Sequence, residues 1–380
     1  METIYLDHAA TSPMHPEVIE VVTKAFFQTY GNPSSIHTAG RNARKVLDDA
    51  RTSLARAIGA KDTEIIITSG GTEADNTAIF GVTNALKSKG KHIITTQIEH
   101  HAVLNTCEKL EKEGYEVTYL PVDESGRISV ESFKKVLRED TILVTIMYGN
   151  NEVGTVQPIA EIGELLKEHQ AVFHTDAVQA FGLEKLNVDE LQVDLLSVSS
   201  HKLNGPKGIG FLYQRTGTNL NATFIGGSQE KKRRAGTENV PAAVGFAKAV
   251  EIAQNEMEKK RAQYLQFRDI FLNILDREEI DYKVNGSTEH SLSHVLNISF
   301  KGMDVESFLV NLDMSGVYAS SGSACTAGSI DPSHVLVAMF GTEREELRNS
   351  IRFSFGLGIT EEMIKEAALR TAKIVKRLAN

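Results

Sequence analysis

The chain has 380 residues, enough for two to four domains at roughly 100–200 residues each and for a large core built from its own side chains. A hydrophobic fraction of 41% with 24% charged residues, and 29 Gly against only 8 Pro, exclude disordered and collagen-like chains. Lys+Arg 41 against Asp+Glu 50 leave a net charge of −9, which opposes nonspecific binding to phosphate backbones or anionic lipid, so direct nucleic-acid contact is not expected.

The N-terminus METIYLDHAATSPMHPE lacks a basic segment followed by an apolar one, and no run approaches the ~18 apolar residues of a membrane span. Two cysteines, Cys107 and Cys325, allow one disulfide at most. The expectation is a cytoplasmic chain with no membrane role. Two helices come first, over 16–30, stopped by Gly31-Asn32-Pro33, and over 37–58, stopped by Gly59. From Glu64 to Phe211, seven short β-branched runs follow: EIIIT, KHIITT, YEVTYL, TILVTIM, AVFHT, DLLSVS and GIGFLY. Helical patterns separate most of them, over 73–87, 101–113, 130–137 and 159–168. This is the signature of βαβ units around a mainly parallel seven-stranded sheet in an α/β domain. A long helix-rich stretch over 239–276 leads to a second set of elements, including VLNISF, VESFLVNL, SIRFSF and a helix over 360–378. No flexible linker separates the halves, so that helix is expected to bridge them. The expected division is a large domain over 15–257 and a smaller α/β domain formed by 1–14 with 258–380.

Five clusters can carry chemistry. Ser69-Gly70-Gly71-Thr72 lies between a strand and a helix, where glycines admit close backbone approach and the helix N-terminus favours an anion. It matches neither the dinucleotide fingerprint nor the P-loop, and a plain capped turn would look the same. Asp176-Ala177-Val178-Gln179 and Ser199-Ser200-His201-Lys202 each follow a strand, at the end where open α/β sheets place ligands. Lys202 there is a candidate Schiff-base amine, and Asp176 a carboxylate able to pair with a pyridinium nitrogen; a surface lysine and a capping aspartate are the bland alternative. In Glu99-His100-His101, His100 can stack on a planar group or move protons, with His101 the weaker candidate and helix entry the ordinary use. Ser320 to Ser329 is a run of small residues that cannot fill a core, so Cys325 is placed to react, whereas Cys107 within AVLNTCEKL reads as core packing. In SIRFSF, Ile351, Phe353 and Phe355 alternate with Ser350, Arg352 and Ser354, so Arg352 leaves the polar face of a strand and can clamp a carboxylate, or form a surface ion pair.

Nearly the whole chain resembles the NifS/IscS-like cysteine desulfurases of the aminotransferase class V. The likeness rests on YLDHAATSP, YGNPSSIH, TSGGTEADN, EHHAVL, NNEVGTVQPI, HTDAVQ, SSHKLNGPKGIG, RRAGTENV and SSGSACTAG, in that order. It implies the fold type I of transferases that depend on pyridoxal 5′-phosphate (PLP), and a homodimer. It further implies that Lys202 bonds the cofactor, Asp176 pairs with the pyridine nitrogen, His100 stacks on the ring and Gln179 bonds the phenolic oxygen. Phosphate would be held by Gly71, Thr72, Ser199 and His201, with Thr237 supplied by the partner subunit. Asn151 and Arg352 would orient the substrate carboxylate, and Cys325 would be the nucleophile. No metal site is implied.

The activity so implied converts L-cysteine to L-alanine, with sulfur captured as a persulfide on Cys325 and passed to an acceptor protein, either a tRNA thiolase or an iron–sulfur scaffold. The long SGSACTAGSIDPSH segment looks like the group I form. His8 stands where many relatives carry Asn, and the chain stops soon after its last helix, which favours a dedicated acceptor such as a tRNA thiolase. Rival readings are another PLP enzyme, an aminotransferase or selenocysteine lyase, and a noncatalytic scaffold that binds partner proteins.

Overall fold

In the computed structural model, which describes residues 3–322 and 332–378, the β-branched runs become strands buried on both faces, as strands sandwiched between helices must be. The chain begins with β1 (Ile4–Tyr5), and the large sheet is then built from β2 (Ile65–Thr68), β3 (His92–Thr96), β4 (Glu116–Leu120), β5 (Thr141–Thr145), β6 (Val172–Asp176), β7 (Leu195–Ser199) and β8 (Gly210–Gln214). Their order across the sheet is β2-β8-β7-β6-β5-β3-β4. Neighbours are parallel except around β8, which runs antiparallel to both β2 and β7. The reversal follows from the connection between β7 and β8: it holds a single 3-10 turn, Ser200–Lys202, and is too short for the crossover that a parallel strand requires. β4 lies at the sheet edge and is the one strand of the seven that is largely uncovered.

The predicted helices form within two residues of their expected ends, as Pro16–Gln28, Thr38–Arg56, Gly71–Leu86, His101–Lys112, Val130–Val136 and Ile159–Leu166. The stretch after Thr237 is one helix of 38 residues, Val240–Arg277. Its N-terminal half, including Val240, Phe246 and Ala253, belongs to the core under the large sheet. Its C-terminal half, with Tyr264, Phe267, Phe271 and Leu275, belongs to a second core. That second core lies on a three-stranded antiparallel sheet of β9 (Tyr282–Asn285), β10 (Val295–Phe300) and, after the short β11 (Val317–Tyr318), β12 (Ser350–Ser354), in the order β12-β10-β9. VESFLVNL folds as part of the helix Val305–Met314, which packs on this core through Val305, Phe308 and Leu312.

The N-terminal strand joins the second unit, since β1 pairs in parallel with β11. From there the chain runs past Ala9 and Ala10 to the mouth of the large sheet, where the Ser12 hydroxyl donates to the His201 carbonyl at 2.6 Å. Among the described residues, no helix is long and apolar enough to cross a membrane.

Candidate active site

The site lies at the C-terminal ends of the parallel strands, around a pocket of about 400 Å³. Asp176 ends β6 and pairs in register with Ser197 of the adjacent β7, while Lys202 closes the turn that follows β7. The offset of 26 positions from Asp176 to Lys202 thus spans one helix-and-strand unit, and both side chains face the same space. Lys202 Nζ donates to the Ala9 carbonyl and, at 2.8 Å, to that of Ala10. Burial and the charge of Arg352 push this amine down to about 8, against the pull of Asp176 and Asp7. Asp176 is held above the usual carboxylate range by burial, opposed by the Val178 N–H that donates to its Oδ1 at 2.8 Å and by the Lys202 charge.

The anion-favouring edge is built by Gly70 and Gly71 at the start of the helix Gly71–Leu86. Gly70 has φ +153, and a Cβ on Gly71 would come within 2.8 Å of Val178 Cγ2, so the tight approach of this loop to the β6 end depends on glycine. Thr72, Ser199 and His201 complete that wall of the pocket. His201 Nδ1 lies 3.0 Å from Thr11 Oγ1, and burial with the neighbouring Lys202 and Lys207 charges pushes its ring down to about 4.

His100 caps a helix and also faces the pocket. Its Nδ1 accepts from the Ala102 N–H at 3.1 Å, capping the helix His101–Lys112, and the ring lines the pocket. Burial, then Lys202 and the two neighbouring imidazoles, push it down to about 4. The ring is therefore neutral, with its proton on Nε2. His101 packs against His334 at 4.7 Å between ring centres, and both reach the pocket wall.

Arg352 lies 4% exposed rather than on an open polar face, because the edge of β12 is bridged by Asp7, at Ser354, and by Ser320, at Arg352 itself. Its Nη1 donates to the Asn151 carbonyl at 2.9 Å and its Nη2 to Asp7 Oδ1 at 2.7 Å. Nε has no hydrogen-bond partner among the described residues. Gln179 lines the pocket and donates through Nε2 to the Ala9 carbonyl at 2.9 Å.

Ten of the residues singled out from sequence, Gly71, Thr72, His100, Asn151, Asp176, Gln179, Ser199, His201, Lys202 and Arg352, therefore line one pocket. Thr237 does not. It lies in a separate surface depression beside Phe26, Tyr30 and Pro33. Cys325 falls outside the described residues. Cys107 is fully buried and burial raises its thiol far above the ordinary range, consistent with packing.

Sequence reasoning missed Asp75, Glu152 and His334, which also line the pocket. Asp75 is buried one turn into the helix Gly71–Leu86, with Oδ1 lacking a hydrogen-bond partner among the described residues. Burial and the Asp176 charge hold its carboxyl well above the usual range. The available signal was its spacing of four residues from Gly71, which turns it toward the sheet. Glu152 accepts from Ser333 Oγ at 2.5 Å, and a Cβ on Gly322 would meet its Oε2 at 2.7 Å, so the two ends of the segment that contains Cys325 close on one buried carboxyl.

The model of the family described as aminotransferase class-V matches residues 4–366. The chain belongs to that family. Among its relatives, a Bacillus subtilis (strain 168) protein carrying the name IscS 1 is 60% identical over 378 residues, covering 100% of both chains. A Dictyoglomus turgidum protein named cysteine desulfurase IscS is 48% identical over 375 residues, covering 99% of this chain and 95% of its own. A solved structure described as a NifS-like protein superposes with a TM-score of 0.92 at 34% identity, over 99% of this chain and 100% of that one. Another, SspA in complex with cysteine, gives 0.82 at 38% identity over 93% and 99%. Within aminotransferase class V the chain is a NifS/IscS-like cysteine desulfurase, and so an enzyme with the fold of that group.

Proposed function

We propose that this cysteine desulfurase uses PLP to take sulfur from L-cysteine, releasing L-alanine, and that Cys325 carries the sulfur as a persulfide to an acceptor protein. The observation that carries the reading is the meeting of Lys202 and Asp176 across one pocket whose far wall is a glycine-lined helix N-terminus. The donor set fits PLP: an amine depressed to about 8 for the aldehyde, a carboxylate for the pyridine nitrogen, and Gly71, Thr72, Ser199 and His201 for the phosphate. Gln179 would reach the phenolic oxygen and His100 would stack on the ring. When bound, the cofactor supplies an electron sink for charge that develops at the substrate Cα.

Each remaining role falls to a side chain of the pocket. Lys202, half of whose population is neutral near pH 8, takes the proton from the substrate Cα. Asp176 stays ionised when a cationic partner offsets its burial. Arg352, with one N–H of Nη1 held by Asn151 and one of Nη2 held by Asp7, keeps a second N–H on each for the substrate carboxylate, and Asn151 helps orient it. His100 moves a proton through Nε2, since Nδ1 is engaged by Ala102. The Cys325 thiolate attacks the sulfur of bound cysteine; the S–S bond forms, the Cβ–S bond breaks, and its electron pair returns to the carbon skeleton, which takes up protons and leaves as alanine. The relative whose structure holds cysteine supports this substrate.

The enzyme acts as a homodimer in this reading. Phe26, Phe27, Tyr30, Ile36 and Ile225 are large apolar side chains between 64% and 91% exposed, and Phe26 and Tyr30 share their depression with Thr237, which a partner would carry to the phosphate. The sulfur goes on to a tRNA-thiolating enzyme or an iron–sulfur scaffold. Capture of acceptors by cysteine-loaded enzyme separates the two.

The deciding experiment is Cys325→Ala in protein reconstituted with PLP. Loss of alanine formation from cysteine, with the borohydride-sensitive visible absorbance intact, is expected. Sulfide release that survives the change with the cofactor still bound would make the enzyme an aminotransferase or lyase without a persulfide, and a colourless reconstituted wild type would leave only the scaffold reading.

A further inference from the structure

Behind Lys202, on the side away from the substrate pocket, lies a second cavity of about 30 Å³, lined in part by His8, His294, Ser12, Tyr264 and Lys260. It sits where β10 and the N-terminal segment of the second unit meet the large sheet. Its walls hold buried imidazoles that none of the chemistry above employs. His8 and His294 are 4% and 5% exposed. Neither nitrogen of His8, nor Nδ1 of His294, has a hydrogen-bond partner among the described residues. His8 is seated on the backbone of Gly356, where any Cβ would overlap the imidazole.

The other nitrogen of His294 is engaged. Its Nε2 lies 3.1 Å from Gln179 Oε1. The orientation of the Gln179 amide follows from its other end, because the Ala9 carbonyl can only accept, so the group facing it at 2.9 Å is the NH₂. Oε1 then faces His294, which must donate from Nε2–H. A neutral imidazole that donates from Nε2 is an acceptor at Nδ1, and His294 and His8 both line the cavity.

We propose that His294, which donates from Nε2–H to Gln179 Oε1, is a positioning residue that locks the Gln179 amide and so aims the second Gln179 N–H into the cofactor pocket. The inference rests on the reading that PLP occupies that pocket with Gln179 at its phenolic oxygen. Without the His294 donor, the Ala9 carbonyl alone holds the amide, its Oε1 end is left unanchored, and the aim of the second N–H at the pocket is weakened. The charged and titratable groups that face His294 are Lys202, Arg352 and His8, with Lys260 and Tyr264 on the cavity wall. Burial keeps both imidazoles neutral, His294 down to about 3 and His8 down to about 4, the latter against a partial pull from the Tyr5 carbonyl.

The test is the pH titration of the visible absorbance of PLP-loaded enzyme, in wild type and in Gln179→Ala, His294→Ala, His294→Gln and His8→Ala. An N–H that stabilises the phenolic anion lowers the titration midpoint, so Gln179→Ala and His294→Ala are expected to raise it by about one pH unit, a tenfold change in the equilibrium. His294→Gln, which keeps an N–H at similar reach, is expected to restore the wild-type midpoint, which a packing role alone would not explain. His8→Ala should shift it in the same direction by less, and decides the matter if His294→Ala does not fold. A midpoint unmoved in His294→Ala while Gln179→Ala shifts it overturns the inference alone. A midpoint unmoved in Gln179→Ala removes the role of that amide, and a wild type that never gains the visible band overturns the cofactor reading itself.

Discussion

Arg352 Nη2 donates to Asp7 Oδ1 at 2.7 Å, so the guanidinium on β12 is fixed by the same N-terminal segment whose Ala9 and Ala10 carbonyls receive Lys202. One short stretch of chain therefore orients both cations of the pocket. Arg352→Lys should raise KM for cysteine by about 10–100-fold, the worth of a charge-assisted hydrogen bond, since an ammonium cannot keep both protein contacts and still reach a carboxylate. Asp7→Asn should raise KM by a smaller factor. Steady-state kinetics on both variants check the assignment, and an unchanged KM in Arg352→Lys would remove Arg352 from substrate binding.

Lys202 also sets a pH dependence. A neutral amine is needed to attack an aldehyde, and burial has lowered its proton affinity from the ordinary value of 10.5 to about 8. The rate at which apo-protein takes up PLP should therefore rise with pH and reach half its maximum near pH 8, more than two units below an exposed lysine. Stopped-flow absorbance across pH 6 to 10 measures it, with Lys202→Ala expected to gain no borohydride-fixed cofactor.

The close approach of β8 to the phosphate-facing loop gives a third expectation. A Cβ on Gly210 would lie 2.3 Å from the Val198 carbonyl oxygen and 2.9 Å from Gly70 Cα. Backbone cannot yield there without moving the loop, and Gly210→Ala should weaken PLP binding by about 100-fold, the cost associated with an ångström-scale displacement. Fluorescence titration of the apo-protein gives the Kd.

Stability has its own marker in the Arg51–Glu230 pair. Both Arg51 Nη atoms meet the two Glu230 oxygens at 2.6 Å, with the side chains 9% and 2% exposed, and Glu230 also accepts from the Ile67 N–H of β2. Glu230→Ala should destabilise the fold by about 3–5 kcal/mol, because it strands a buried guanidinium. Arg51→Met with Glu230→Leu should recover most of the loss. Thermal unfolding of the three proteins decides, and equal Tm values for single variant and wild type would contradict the argument.

Much of this architecture was legible in the residues. IIIT, ILVT and LLSVS declare buried strands by composition alone, and the chemistry-bearing clusters could be placed because each follows such a strand. The direction of β8 was not legible, since an apolar run such as GIGFLY reads as a buried strand in either direction and only the length of the preceding turn distinguishes it. The two-residue strands β1 and β11 carry too little pattern to be seen, and they form because each supplies the edge that the other lacks. Asp75 was missed because an acid early in a helix normally caps it, and burial against Asp176 is a tertiary fact. His294 was missed for a related reason: in HSLSHVLN nothing marks which imidazole will face Gln179 and which will face solvent.

The helix Val240–Arg277 passes through both apolar cores without interruption, Phe246 serving one and Phe271 the other. Fragments cut at its midpoint would each keep a sheet yet lose half of a shared beam, so they should fail to assemble separately and should regain activity only when mixed and refolded together. The two units are thus linked mechanically as well as by sequence, and a shift of one against the other must bend, tilt or slide this single rod.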